Sequence, residues 1–297
     1  MYFSISYLMI QDSRFHDFTD FVLFFLISAA TFMLYWSFFQ TMLTDPGRVP
    51  TSWGFLLDDP EHKKRRYCLK CHNFKPERCH HCSTCNRCVL NMDHHCPWLN
   101  NCIGFYNRKN FLLCVFYANI DCFFILLLMY PKILSKIIQY ITVTQQTNFL
   151  VPNDIIIVTS IVLLSPLLFI ILSFLKFHYN LIQQNLTTID NLERENTNKE
   201  RLQQNQEPIY ECKYDLGMNF NWEQIFGRNK ALWLIPIVGE SGKPIGDGVN
   251  WQLKPQQSLE TMYNNNNDES QSQTTQKKQN NNNMSFKDSF GNFGTKI

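Results

Sequence analysis

The sequence predicts an α-helical multi-pass membrane protein that carries a cysteine-rich, two-zinc domain between its helices. Three observations lead to that class. Three apolar runs each reach the roughly 20 helical residues needed to cross about 30 Å of hydrocarbon. Eight of the 11 cysteines and five of the eight histidines crowd into residues 68–102. Finally, 25 phenylalanines and 45% hydrophobic residues coexist with a slightly negative mean hydropathy, as when apolar spans are averaged against a polar remainder.

Residues 1–20 open on "MYFSISYLMI", which is too short to span and lacks the basic start and small-residue cleavage site of a signal peptide. The first span is residues 21–43, "FVLFFLISAATFMLYWSFFQTML". Residues 44–110 form the cysteine-rich domain. The second span, residues 111–130, contains one acid, Asp121, which is expected to face the bundle or a wet cavity. Residues 131–154 are read as a lumenal loop. The third span is residues 155–175, where Pro166 is tolerable if neighbouring helices satisfy the freed carbonyl. A C-terminal region follows at residues 176–250. From Trp251 to residue 297 the chain turns to Asn, Gln and Ser, including Asn264–Asn267 and Asn280–Asn283, and is expected to be disordered.

Loop charge sets the orientation. Arg48, Lys63, Lys64, Arg65, Arg66, Lys70, Lys75, Arg78, Arg87, Arg108 and Lys109 lie between the first two spans; only Lys132 and Lys136 lie between the second and third. The cysteine-rich domain and the C-terminal region are therefore expected in the cytoplasm. A formal charge of +2 is too small to argue for nucleic acid as a partner.

A cytoplasmic loop is reducing, so disulfides explain the cysteines poorly. Zinc explains them well: "CLKC" and "CSTC" are knuckles with two residues between cysteines, and "CNRC" overlaps the second. Two structural zincs need eight ligands, and the region offers 13 Cys and His candidates. Spacing alone does not choose among them. A site made of Cys68, Cys71, Cys82 and Cys85 is as legal as any other.

The stretch "YCLKCHNFKPERCHHCSTCNRCVLNMDHHCPWLNNCIGFYNRKNF", residues 67–111, resembles the cysteine-rich domain of DHHC-type protein S-acyltransferases, or palmitoyltransferases. Around it, "TDPG" (Thr44–Gly47) is similar to the family's Asp-Pro-Gly motif, and "TTID" (Thr187–Asp190) to its Thr-Thr-x-Glu motif. "YDLGMNFNWEQIFG" (Tyr214–Gly227) resembles its aromatic and asparagine segment. The resemblance implies two interleaved zinc sites, one of Cys68, Cys71, His81 and Cys88, the other of Cys82, Cys85, His95 and Cys102. It leaves Asp93, His94 and Cys96 for catalysis. It further implies a long-chain acyl-CoA, such as palmitoyl-CoA, as co-substrate, whose charged end would meet Arg66, Lys75 and Arg78. The acceptors would be membrane-associated proteins with cytoplasmic cysteines, on endomembranes (Golgi or ER) or at the plasma membrane. The family usually has four spans, so either this chain works with three and its first residues lie outside, or, the favoured reading, residues 1–20 are the remnant of a first helix that upstream residues would complete.

The chemistry agrees. Transfer between thioester and thiol suits a thiolate nucleophile, with His94 as base and Asp93 fixing its tautomer. The zincs would serve to hold the three groups in alignment. The rival reading is a membrane-tethered zinc module that binds a protein and catalyses nothing. Blander roles fit other residues. Cys79, His72 and His80 are expected at the surface, Cys114 and Cys122 in packing, and Trp98 as structural. Thr187 and Thr188 would end a helix, and Asn221 would anchor the C-terminal region to the bundle. Asp190, one methylene shorter than the family's glutamate, leaves the role of its motif open.

Overall fold

The computed structural model describes residues 18–54, 66–142, 152–237, 239 and 242–254. Of the remnant expected at residues 1–20, the last three residues open the first described helix; residues 1–17 and the tail beyond Lys254 lie outside the described residues. The elements run in the order α1 (Phe18–Leu43), β1 (Tyr67–Cys68), β2 (Asn73–Phe74), β3 (His80–Cys82), β4 (Arg87–Val89), β5 (His94–Cys96) and β6 (Asn101–Ile103). Then follow α2 (Arg108–Thr142), α3 (Pro152–Gln183), α4 (Thr188–Gln203), α5 (Met218–Phe226) and a 3-10 turn at Lys230–Leu232.

Helices α1, α2 and α3 are each long and apolar enough to cross a membrane. Helix α2 packs against both α1 and α3. Their outward faces leave Phe25, Phe32, Leu163 and Phe169 largely exposed, a surface suited to lipid and not to water. Asp121 faces the bundle as expected, accepting a hydrogen bond from Thr31 Oγ1 on α1 at 2.8 Å.

The helices outrun the apolar stretches that predict them. Helix α2 continues through Pro131 to Thr142, so much of the loop expected at residues 131–154 is helical. Ile133, Ile137, Ile138 and Ile141 keep helical spacing there, although Lys132 and Lys136 break the hydropathy run. Helix α3 likewise extends beyond residues 155–175 to Pro152 and Gln183. Hydropathy marks what the bilayer must cover, whereas backbone hydrogen bonding continues past it.

Between α1 and α2 lie three antiparallel two-stranded hairpins, β1–β2, β3–β4 and β5–β6. Pairs this short are marginal alone, and side-chain bonds tie them to the helices. Asn101 Nδ2 donates to the terminal carbonyls of α1 at Thr41 (3.2 Å) and Met42 (3.1 Å), and to that of Thr44 (3.0 Å). These are groups that a helix end leaves unpaired. Asn107 Nδ2 bridges the carbonyls of Thr41 (3.2 Å) and Cys102 (2.9 Å). Asn221 of α5, fully buried, donates to the Gln183 carbonyl at the end of α3 (2.8 Å).

The order of the chain runs further than its composition suggests. Trp251, expected to begin the disordered tail, is packed edge-on to Phe105 and Tyr214 and lies 4.4 Å from the Arg78 guanidinium. An aromatic residue can dock on a cation and other rings even when polar sequence follows it.

Candidate active site

The three hairpins repeat with a period of 14 residues: Cys68, Cys82 and Cys96 occupy equivalent positions. Their partners across the hairpins are Asn73, Arg87 and Asn101. Four residues after each cysteine the backbone turns left-handed, at His72 (φ 50°), Asn86 (φ 50°) and Asn100 (φ 47°). A second cysteine closes the first two knuckles, at Cys71 and Cys85, but the third has Leu99. Ahead of the knuckle, the cross-strand pair is His81–Cys88 in the second hairpin and His95–Cys102 in the third. In the first it is Tyr67–Phe74.

Two groups that could each hold a metal ion follow from that offset. The knuckle of hairpin one meets the pair of hairpin two, bringing Cys68, Cys71, His81 and Cys88 together. The knuckle of hairpin two meets the pair of hairpin three, bringing Cys82, Cys85, His95 and Cys102 together; within each group all ligand atoms lie within 4.8 Å of one another. His81 Nδ1 stands 3.5 Å from Cys68 Sγ and 3.2 Å from Cys71 Sγ. His95 Nδ1 stands 3.7, 3.4 and 3.6 Å from the sulfurs of Cys82, Cys85 and Cys102. Donors at such spacing suit a tetrahedral zinc with three thiolates and one imidazole. The all-cysteine alternative does not form, because the two knuckles face different hairpins.

Strand alternation separates the two adjacent histidines. Side chains along β5 point to opposite faces, so His95 turns to the metal group while His94 and Cys96 share the other face. Cys96 is the first cysteine of a knuckle whose second is missing, and it joins no metal group. Its sulfur instead enters a buried cluster with Leu99, Ile103, Phe111, Leu112 and Ile182.

Asp93 is 1% exposed and surrounded by donors. Its Oδ2 meets His94 Nδ1 at 2.8 Å and Thr188 Oγ1 at 2.7 Å; its Oδ1 accepts from Thr188 N at 3.0 Å. Arg108 Nη2 stands 3.3 Å from Oδ1. Burial opposes its charge, but Arg108 and His94 outweigh burial and hold the carboxyl well below the usual carboxylate range. For His94, burial is again opposed, by the hydrogen bonds to Asp93 and Cys96, and the imidazole is pushed up to about 9. Cys96 is lowered: burial works against the thiolate, while His94 and the backbone N–H groups of Leu99 and Trp98 favour it. Backbone groups at the same turn positions serve Cys68 and Cys82. Cys96 thus has the anion-stabilising turn of a zinc knuckle without a metal ligand set.

Thr188 belongs to this site, beyond any role in ending a helix. It is positioned by a capping box at the start of α4, where Thr187 Oγ1 accepts from Asp190 N (3.0 Å) and Asp190 Oδ2 accepts from Thr187 N (2.9 Å). Asp190 also receives Arg78 Nε (3.0 Å) and Nη2 (2.7 Å), so the shorter side chain serves cap and ion pair together. Arg78 corrects one expectation. It is 3% exposed, bonded to Asn185 as well as Asp190, and lies 4.6 Å from the Tyr214 ring and 4.4 Å from that of Trp251. A guanidinium so engaged clamps the C-terminal region, its hydrogen bonds taken up by Asp190 and Asn185. Arg66 is exposed and Lys75 partly so. A cleft of about 400 Å³ is lined by Arg66, Glu77, Arg78 and Lys213, and its lining does not include Asp93, His94 or Cys96.

Further expectations change. Cys79 is 0% exposed, packed with Cys68 and Cys88, and burial pushes its thiol up to about 11; it is a core residue and not a surface one. Trp98, expected to be structural, is 88% exposed. His72 is exposed, and His80 is half-buried near Glu193. The feature overlooked in the sequence was the repeat itself: aligning Cys68, Cys82 and Cys96 exposes Leu99 as the broken position.

Comparison with known proteins finds relatives that match most of the chain. Residues 61–195 match the family model described as DHHC palmitoyltransferase. The chain is 36% identical over 251 residues to probable protein S-acyltransferase 14 of Arabidopsis thaliana, covering 75% of each chain. To probable protein S-acyltransferase 12 of the same plant it is 35% identical, covering 70% of each. To palmitoyltransferase ZDHHC20 of Bos taurus it is 35% identical, over 61% of this chain and 45% of the relative.

Proposed function

Because the chain belongs to the DHHC palmitoyltransferase family, we propose that it moves a palmitoyl group from palmitoyl-CoA to protein cysteines by way of Cys96. The observation that supports this most is the relay Thr188–Asp93–His94–Cys96, in which every member outside the metal groups has a partner suited to thiolate chemistry. A zinc module without catalysis would have no use for it.

Cys96 Sγ, its proton held by His94, attacks the thioester carbonyl carbon. The carbon–sulfur bond to CoA breaks, and the departing CoA thiolate takes the proton from His94. The acyl group now rests on Cys96. An acceptor cysteine then gives its proton to His94 and attacks in turn, releasing the Cys96 thiolate. Asp93 stays ionised and stabilises the imidazolium. Cys68, Cys71, His81 and Cys88 would hold one zinc, and Cys82, Cys85, His95 and Cys102 another. Four protein ligands close each site, so bound zinc would supply rigidity.

The apolar cluster around Cys96 adjoins the ends of α2 and α3, and each buried methylene of an acyl chain is worth about 0.8 kcal/mol. The acyl chain then runs into the bundle while CoA stays in water near Arg66 and Lys75. The basic residues between α1 and α2 support a cytoplasmic face for this site, and membrane-bound proteins with cytoplasmic cysteines as acceptors. Incubation with labelled palmitoyl-CoA should label the wild-type chain through a hydroxylamine-sensitive bond. Cys96→Ser should keep its zinc and take no label; label retained in that variant would refute the assignment.

A further inference from the structure

The mechanism above places negative charge on the acyl carbonyl oxygen and, so far, gives it no partner. One buried side chain lacks a partner in the same place. His178 of α3 is 1% exposed, and neither Nδ1 nor Nε2 has a hydrogen-bond partner. Its ring lies among Phe111 (5.4 Å between centroids), Phe174 (4.5 Å) and Phe177 (5.4 Å), and 6.1 Å from His94. An imidazole packed only for shape would leave its N–H unsatisfied at about 1–3 kcal/mol, and a phenylalanine would fill that aromatic nest at no such cost.

Phe111 links it to the surroundings of Cys96. Phe111 packs edge-on against both His94 (5.0 Å) and His178. Phe111 also belongs to the buried cluster of Cys96 and Ile182. Ile182 is one helical turn from His178 on the same face of α3. An acyl chain leaving Cys96 for the bundle therefore passes the Phe111–His178 wall, and its carbonyl, one bond from Sγ, is the polar group brought there. Among the described residues, the other orphaned donors beside Asp93 are Nε and Nη1 of Arg108. That guanidinium is already engaged with Asp93 and, through Nη2, with the Leu186 carbonyl.

Resting on the reading of Cys96 as the acylated nucleophile, we propose that His178 is a further catalytic residue, whose ring N–H donates a hydrogen bond to the acyl carbonyl oxygen as Cys96 attacks. No proton changes hands in this contact. The sulfur–carbon bond forms, the carbonyl π electrons move onto oxygen, and His178 stabilises that oxyanion until the bond to CoA sulfur breaks. Such a donor acts on the transition state more than on the bound substrate.

The test compares two reactions of Cys96 in the membrane-reconstituted chain. Acylation by palmitoyl-CoA passes through an oxyanion; alkylation by iodoacetamide does not. His178→Phe should keep zinc and alkylate within about twofold of wild type, while single-turnover acylation falls about 100-fold, the scale of losing one oxyanion donor. His178→Gln, which keeps an N–H donor, should recover at least part of the rate. Acylation unchanged in His178→Phe overturns the proposal. So does an equal fall in alkylation, since that would make His178 a support for His94. If His178→Phe loses zinc, His178→Met carries the same comparison. Failure of the wild-type chain to acylate at Cys96 would instead strike the functional reading itself.

Discussion

His94 and His95 are chemically identical neighbours with different partners, and one peptide unit of strand separates them. The pleat sends His95 to three sulfurs and His94 to Asp93. His95→Ala should therefore lose about one zinc of two per chain, whereas His94→Ala should keep both and lose self-acylation; zinc analysis beside acyl labelling decides it, and equal zinc loss would contradict the assignment. Asp190 offers a pH test at the same scale. Burial raises its pKa, but Arg78 and Thr187 outweigh burial and depress it in the fold. A depressed carboxylate stabilises fully above its unfolded value, about 3.9, and loses that stabilisation as pH falls through the lower folded value. The gap in Tm between wild type and Asp190→Asn should thus stay constant from pH 7 to 5. A gap already closing over that range would assign it to something other than the Asp190 charge.

Helix ends are where this protein joins its parts. Asn101 covers the end of α1, Asn221 covers the end of α3, and the Thr187–Asp190 box starts α4. Each contact satisfies a backbone group that would otherwise be stranded, and each belongs to a different segment of the chain. Asn221→Ala leaves the Gln183 carbonyl and Asp215 without that donor. It should cost about 1–3 kcal/mol, seen as a lower Tm in detergent, with release of α5 seen as faster amide exchange at residues 218–226. Thr188→Val removes the hydroxyl bond to Asp93 but keeps the backbone one, so acylation should slow about tenfold, the equivalent of a hydrogen bond to a charged group at roughly 1.5 kcal/mol. No change in rate would separate α4 from the relay.

Across the whole molecule, the hairpins contribute geometry and the helices contribute solvent. Three two-stranded ribbons have too little core to fold alone, so chelation of zinc should abolish self-acylation while circular dichroism keeps most of its helical signal. Helical signal collapsing in parallel would show that the hairpins hold α1 and α2 together more than those helices hold each other. The same division explains why Cys96 sits where it does. Its turn belongs to the metal-domain repeat, its sulfur to the core shared with α2, α3 and α5.

From sequence alone came the membrane class, the two-zinc domain and, by resemblance, the split of ligands from Asp93, His94 and Cys96. The first two rest on local signals, since hydropathy and knuckle spacing need no knowledge of what lies opposite; the split rests on the resemblance alone, because spacing did not choose among the 13 candidates. Tertiary structure alone decided that Arg78 is a buried clamp and Cys79 a core thiol, because burial depends on what packs over a residue and not on its neighbours in the chain. It decided that α2 continues past Pro131, where helical bonding outlasts the apolar run. It joined Thr188 to Asp93 across 95 residues, Trp251 to Arg78, and His178 to the wall beside Cys96. Long-range pairs of this kind leave no periodic trace in the sequence, for each arises only when separate helices and hairpins bring their ends to one place.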